Sequence, residues 1–167
     1  FKRSVLEKYL REDAKMKNST HDFGKDVIPR MVAECRCFAR SFEHYWRDVG
    51  TLHSYWQANM DCLDPKSGLN LNAWKVHTNW QDIPSHFSMP LHVYGAGNIV
   101  NSMIGKGSSI RGSVVNSILF RGVQVGEGAE VRDSVIMDGC EIGPGAQVQR
   151  VISDKHEVGR DKYFTDN

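Results

Sequence analysis

A repeated six-residue step in the second half of the chain constrains the fold more than any other feature. Three short segments place aliphatic residues six positions apart: "IGKGSSI" from residue 104, "VGEGAEV" from 125 and "IGPGAQV" from 142. Longer segments recur at an offset of 17 residues: "NSILFRGVQV" from 116, "DSVIMDGCEI" from 133 and "RVISDKHEV" from 150. Hexapeptide repeats of this kind form β-helices, whose stacked coils direct aliphatic side chains inward. The pattern therefore predicts a β-helix from about residue 93.

One interval departs from the repeat. The segments at 104 and 125 are 21 residues apart, whereas those at 125 and 142 are 17 apart. We therefore expect one coil to carry an insertion or an irregular corner.

Residues 1–63 lack this step and predict a mixture of helices and a strand. Ser4 and Glu7 form a capping-box pattern before an apolar helical stripe, and "FGKDVIPRMVAE" predicts a second helix with Pro29 near its start. The alternation in "CRCFARSF" predicts a strand. Thr51 is expected to cap a third helix, which buries a stripe formed by Leu52, Tyr55, Trp56, Met60 and Leu63.

The proline-rich residues 64–92 predict a connector that packs over a surface.

Composition and charge exclude several classes of protein. The net charge of +1 provides no field to hold nucleic acid or an anionic membrane, so neither is expected as a partner. No apolar run approaches the ~20 residues that span a bilayer, and no secretory signal pattern is present. The four cysteines lack the paired spacing of a zinc site, so structural thiols in a reducing cytoplasm are expected.

The segment "YWRDVGT" at residues 45–51 is the strongest candidate for a functional motif. By spacing alone, Asp48 is best explained as a cap or turn carboxylate before the helix that follows. A tryptophan in the position of Trp46 is more often a core residue than a ligand contact. Spacing alone therefore leaves a structural and a functional interpretation open.

Three motifs in order resemble bacterial glucose-1-phosphate adenylyltransferase, also called ADP-glucose pyrophosphorylase. They are "HDFGKDVIP" at 21–29, "YWRDVGT" at 45–51 and "YWQANMDCLD" at 55–64, followed by the connector and the hexapeptide coils. The resemblance implies an α/β remnant of a Rossmann-like nucleotidyltransferase domain (1–63), a connector (64–92) and a left-handed parallel β-helix (93–167). The family's glycine-rich nucleotide-binding loop is missing. We therefore expect a C-terminal portion of a longer enzyme that is inactive by itself.

The resemblance also implies a reaction and a set of site residues. The family transfers the adenylyl group of ATP to glucose 1-phosphate with Mg²⁺, releasing pyrophosphate in glycogen biosynthesis. Asp48 matches a carboxylate that binds the metal, and Trp46 matches an aromatic residue beside the glucose ring. Asp22 and Phe23 match the sugar-binding pair, although Asp22 would also serve as a helix cap.

For the β-helix, the resemblance implies assembly and regulation rather than chemistry. The family's β-helix contributes to a homotetramer, and sugar-phosphate activators bind near its junction with the catalytic domain. Lys155 aligns with a basic residue of that activator site. A surface lysine is, however, usually only solvated.

Three other functions remain open at this point. The nearest is another sugar-nucleotide pyrophosphorylase, and the second is a non-catalytic regulatory subunit of the same family. Such subunits tend to lose their site residues, so the intact motifs favour the catalytic type. The third is a hexapeptide acyltransferase, which needs a catalytic histidine on the coils and would have only His156, or His92 at their entrance.

Overall fold

The computed structural model describes residues 1–76 and 89–154, together with the backbone of residues 157–158. The chain divides into two compact units, Phe1–Glu43 and His44–Asn167, called here the first and the second unit. The predicted domain boundaries at residues 63 and 92 stay predictions. Among the described residues, no helix combines the length and apolar character that a bilayer crossing requires.

The first unit is built from helices around a small apolar core. Helix α1 spans Arg3–Asp13, and a π-helical turn over Phe23–Val27 runs directly into α2, Ile28–Glu34. Pro29 lies in the first turn of α2, where its missing N–H costs no helical hydrogen bond. The core consists of Tyr9, Val27 and Met31.

Two local predictions for the first unit are wrong. Helix α1 is preceded by Lys2 without a side-chain cap, so Ser4 lies inside the helix rather than at the capping position. The segment "CRCFARSF" forms no strand, and Phe38 is 88% exposed. A strand needs a neighbour for its backbone hydrogen bonds, and none of the described residues of this unit forms one.

In the second unit, helix α3 spans Leu52–Asp61 and packs on one face of the β-helix. Met60 and Leu63 are buried against Ile118 and Val135. The predicted buried stripe is confirmed except at Leu52. That residue lies at the start of the helix and is 73% exposed, so the prediction that it is buried is wrong.

A hydrogen bond also joins α3 to the coils. The indole Nε1 of Trp56 donates to the Asp133 carbonyl at 2.6 Å, and the Arg150 guanidinium lies 5.2 Å from the indole ring centroid. Trp56 therefore has the structural role that its place in the helical stripe predicts.

The predicted parallel β-helix is confirmed. Its described strands are β1 His92–Val93, β2 Asn98–Val100, β3 Met103–Ile104, β4 Ser109–Ile110, β5 Ser113–Val115, β6 Ile118–Leu119, β7 Gln124–Val125, β8 Glu130–Arg132, β9 Val135–Ile136, β10 Glu141–Ile142, β11 Gln147–Gln149, β12 Ile152–Ser153 and β13 Glu157–Val158. They form three parallel sheets, in the orders β1-β4-β7-β10-β13, β2-β5-β8-β11 and β3-β6-β9-β12.

Aliphatic ladders fill the interior of the β-helix. Ile110, Val125 and Ile142 are stacked neighbours on the first sheet, and each is at most 2% exposed. Val114, Val131 and Val148 form the equivalent ladder on the second sheet. The inward-pointing positions are therefore those that the six-residue step predicts.

One coil is irregular, as expected, but it has a shortened corner between β4 and β5 and not an insertion. Ile104 pairs with Leu119 at an offset of 15 residues, whereas Val125 stacks on Ile110 on a different sheet. The segments at 104 and 125 therefore lie on different faces of the prism. The same hexapeptide pattern begins on two different faces, so a match between two segments does not show that one lies above the other.

Candidate functional site

The four residues of the predicted catalytic and sugar sites fall into two pairs, one in each compact unit. Asp22 and Phe23 belong to the first unit, and Trp46 and Asp48 belong to the second. All four side chains are exposed.

Asp22 precedes the π-helical turn and caps it. Its Oδ1 accepts a hydrogen bond from the Lys25 N–H at 2.8 Å. Phe23 is 44% exposed, and its ring meets that of Phe1 edge-to-face at a centroid distance of 6.4 Å. The predicted cap is thus confirmed, and one oxygen of the Asp22 carboxylate is engaged in it.

A network of short polar contacts holds the loop before Asp22. The buried Asp13 accepts a hydrogen bond from the Ser19 hydroxyl at 2.7 Å, and its other oxygen lies 2.7 Å from Nδ1 of His21. These hydrogen bonds lower the pKa of the Asp13 carboxyl. The backbone of His21 has a φ of 59°, a left-handed conformation that costs free energy for any residue other than glycine. The network therefore fixes the backbone from which Asp22 and Phe23 project.

In the second unit, the cap of α3 is Thr51 and not Asp48. The Thr51 hydroxyl accepts from the Ser54 N–H at 3.1 Å, and the Ser54 hydroxyl accepts from the Thr51 N–H at 3.0 Å. This reciprocal pair is a capping box. The predicted Thr51 cap is confirmed, and the alternative in which Asp48 caps the helix is wrong.

Asp48 instead makes a local turn contact. Its Oδ1 accepts a hydrogen bond from the Gly50 N–H at 3.2 Å, and the carboxylate is exposed. A Cβ at position 50 would meet that oxygen at an ordinary contact distance of 3.5 Å, and Gly50 is not in the left-handed region. The turn therefore does not depend on glycine.

A buried carboxylate to which the sequence motifs assign no role lies beside this segment. Asp61, only 6% exposed, accepts hydrogen bonds through Oδ2 from the Tyr45 hydroxyl at 2.7 Å and from Arg47 Nε at 2.6 Å. Gln57 Nε2 donates to its Oδ1 at 3.2 Å. One clue was available: Asp61 is a charged residue between the apolar Met60 and Leu63 at the buried end of α3.

The protonation states of this network follow from its contacts. Burial acts to raise the pKa of the Asp61 carboxyl, but hydrogen bonds from Tyr45, Gln57 and Arg47 outweigh it and the pKa is lowered. Burial and the bond to Asp61 raise the pKa of the Tyr45 hydroxyl. At neutral pH, Asp61 therefore accepts as a carboxylate while Tyr45 remains a donor.

The carboxylate oxygen of the predicted metal-binding residue provides part of what a Mg²⁺ site requires. Mg²⁺ prefers hard oxygen ligands and is often held by one or two carboxylates together with substrate phosphates and water. The exposed Asp48 offers such an oxygen. Within residues 1–76 and 89–154, no cluster of three or more side chains of the metal-ligating types occurs. Among these residues, Asp48 by itself offers one carboxylate of the kind that Mg²⁺ prefers.

Three other candidate positions lie in or next to the β-helix. Lys155, the predicted effector contact, lies outside the described residues, as does His156. His92 stacks on Tyr94 at a centroid distance of 3.8 Å, and the Arg111 guanidinium lies 4.4 Å from the Tyr94 ring centroid.

Comparisons with known proteins match both halves of the chain. Residues 1–65 match a family model described as nucleotidyl transferase, and residues 87–162 match one described as GlmU-like, C-terminal hexapeptide. A glucose-1-phosphate adenylyltransferase of Acetivibrio thermocellus is 41% identical over 164 residues, covering 96% of this chain and 37% of the relative. Those of Thermosipho melanesiensis and Halalkalibacterium halodurans are 40% and 43% identical over 134 residues, covering 79% and 78% of this chain and 31% and 34% of the relatives.

The predicted resemblance to glucose-1-phosphate adenylyltransferase is confirmed. Asp22, Phe23, Trp46 and Asp48 all fall within the stretch that matches the nucleotidyl transferase model. The chain spans about a third of the length of the curated adenylyltransferases that it matches. It thus joins a nucleotidyltransferase segment to a hexapeptide β-helix in a single sequence.

Proposed function

We propose that this chain is the C-terminal part of a glucose-1-phosphate adenylyltransferase, which forms ADP-glucose and pyrophosphate from ATP and glucose 1-phosphate. The observation that carries the proposal is the presentation of Asp48. Because Thr51 caps α3, the Asp48 carboxylate is left exposed beside Trp46 rather than used to start the helix. The similarity to named adenylyltransferases supplies the substrate class.

In the proposed reaction, a phosphate oxygen of glucose 1-phosphate attacks the α-phosphorus of ATP. The bond from that phosphorus to the bridging oxygen breaks, and pyrophosphate leaves. Asp48 would hold Mg²⁺, which neutralises charge on the phosphate oxygens when it is bound. Trp46, whose side chain is 82% exposed, would pack against the C–H face of the glucose ring, and Phe23 would add apolar contact to the sugar.

Asp22 would have two roles in the same enzyme. One carboxylate oxygen caps the π-helical turn, and the other would accept a hydrogen bond from a glucose hydroxyl. A carboxylate has enough lone pairs for both.

The β-helix would serve assembly and regulation in a cytoplasmic homotetramer. We propose that a sugar-phosphate effector binds near it, with Lys155 as one basic contact, because anionic phosphate groups are bound by lysine and arginine. Replacing Lys155 with alanine in the full-length enzyme would then raise the effector concentration at half-maximal activation.

The experiment that tests the function uses the full-length protein. It is mixed with glucose 1-phosphate, Mg²⁺ and one nucleoside triphosphate at a time, and pyrophosphate release is recorded. We expect release with ATP. Release with a different nucleotide alone would indicate another sugar-nucleotide pyrophosphorylase, and no release with any nucleotide would indicate a non-catalytic subunit.

Replacing Asp22 separates its capping role from its sugar-binding role. Serine is also a good helix cap but lacks the carboxylate, so Asp22→Ser should leave the thermal unfolding temperature unchanged. It should raise the KM for glucose 1-phosphate about tenfold, the effect of losing one hydrogen bond to a charged group. Asp22→Ala serves as the comparison, because it removes both functions and should lower stability as well. An unchanged KM in both variants would assign Asp22 to the cap alone.

A further inference from the structure

Alternate residues of the "YWRD" segment contact the buried Asp61. Tyr45 is half-buried and Arg47 is paired with Asp61, whereas Trp46 and Asp48 are exposed. Tyr45 and Arg47 thus reach the same carboxylate. Trp46 and Asp48 each follow one of these two residues in the chain. Whatever fixes Tyr45 and Arg47 also limits where Trp46 and Asp48 can lie.

Asp61 is well placed to fix them, because three donors converge on it. Tyr45, Arg47 and Gln57 all donate to its carboxylate, at 2.7, 2.6 and 3.2 Å. Hydrogen bonds to an ionised acceptor are about twice as strong as neutral ones. Two of these donors reach Asp61 from 14 and 16 residues earlier in the chain, so the contacts tie separate segments together.

The backbone of Asp61 is itself anchored. The neighbouring Met60 and Leu63 are buried against the β-helix, and the Ser67 hydroxyl donates to the Asp61 carbonyl at 2.8 Å. One turn earlier, Trp56 donates to the Asp133 carbonyl. A continuous series of contacts therefore runs from the coils through α3 and Asp61 to the segment that carries Asp48.

We propose that Asp61 is a positioning residue for adenylyl transfer: its carboxylate holds Tyr45 and Arg47 and thereby sets the place of Asp48 and Trp46. The proposal rests on the proposed function, because it assigns Asp61 to the reaction in which Asp48 holds the metal. In this proposal Asp61 acts through Tyr45 and Arg47 and not by contact with the substrate or the metal. Through α3, it also makes the β-helix a support for the metal-binding carboxylate.

The test is steady-state kinetics of Asp61→Asn in the full-length enzyme. Asparagine keeps the size of the side chain but loses the charge that strengthens all three hydrogen bonds. A misplacement of about 1 Å can lower a rate about a hundredfold, so we expect kcat to fall at least tenfold. The Mg²⁺ concentration at half-maximal rate should rise several-fold, a shift that a loss of stability alone would not produce.

Two further variants keep the test decisive. Tyr45→Phe removes a single donor and should change kcat and the Mg²⁺ response in the same direction by a smaller factor, and it carries the test if Asp61→Asn fails to fold. Asp138→Asn is the matched control, since Asp138 also accepts hydrogen bonds from an arginine, Arg121, but on the β-helix. That control should leave both quantities unchanged.

The outcomes separate this inference from the proposed function. If the wild type is active and Asp48→Asn is not, while Asp61→Asn and Tyr45→Phe both have wild-type kcat and Mg²⁺ response, the positioning role is wrong and the function stands. If the wild type forms no sugar nucleotide, the function is wrong and the role of Asp61 fails with it.

Discussion

Replacing Asp48 with asparagine in the full-length enzyme should lower kcat by roughly a hundredfold or more. Asparagine can still accept the hydrogen bond from the Gly50 N–H, so the turn and the Thr51 cap should persist. What is lost is the negative charge that holds Mg²⁺, and a catalytic metal contributes several kcal/mol to the stabilisation of transition-state charge. Pyrophosphate release at saturating substrates measures the effect.

Asp64 provides a matched control for this change. It is exposed, as Asp48 is, and its Oδ1 accepts a hydrogen bond from the N–H two residues later, that of Lys66, at 2.8 Å. Asp64→Asn therefore removes the same charge from the same kind of turn, and kcat should not change. Equal losses in the two variants, or no loss in either, would argue that Asp48 is only a turn residue.

Replacing Gly112 with alanine should be the most destabilising small change in the β-helix. A Cβ at this position would lie 2.2 Å from the Ala129 carbonyl oxygen of the next coil. That oxygen also accepts the inter-coil hydrogen bond from the Ser113 N–H at 2.8 Å, so the backbone cannot move aside without breaking the ladder. Overpacking of a well-packed interior costs about 1–3 kcal/mol or more, and we expect the unfolding temperature to fall by about 5–10 °C.

Gly143→Ala is the control for this prediction. A Cβ at Gly143 would meet nothing within 4 Å, and Gly143 is not in the left-handed region. The unfolding temperature, followed by circular dichroism on the 167-residue chain, should be unchanged or slightly raised. A similar fall in both variants would indicate that the loss at Gly112 does not come from its close approach to Ala129.

The parts of the fold that could be predicted are those set by local or strictly periodic patterns. The six-residue step identifies the inward positions of the β-helix because each aliphatic residue needs only its equivalent in the next coil. The cap at Thr51 depends on Ser54, three residues away, and was predicted correctly. An irregular coil is expected from the sequence, but its shortening is not, because Ile104 and Val125 carry the same pattern on different faces.

Features that depend on distant partners could not be predicted in this way. "CRCFARSF" has the alternation of a strand, but alternation does not supply a neighbouring strand. The candidate site shows the same limit: Trp46 and Asp48 were found from their motif, whereas the role of Asp61 appears only when Tyr45 and Arg47 are seen to converge on it.

The most direct test of the proposed reaction follows the two ends of the ATP triphosphate. The full-length enzyme is given glucose 1-phosphate and Mg²⁺ with ATP labelled either at the α-phosphorus or at the γ-phosphorus, and the products are separated. Attack at the α-phosphorus predicts that the α-label enters a sugar nucleotide and that the γ-label leaves as pyrophosphate. Transfer of the γ-label to the sugar phosphate, or no transfer of either label, would contradict adenylyl transfer.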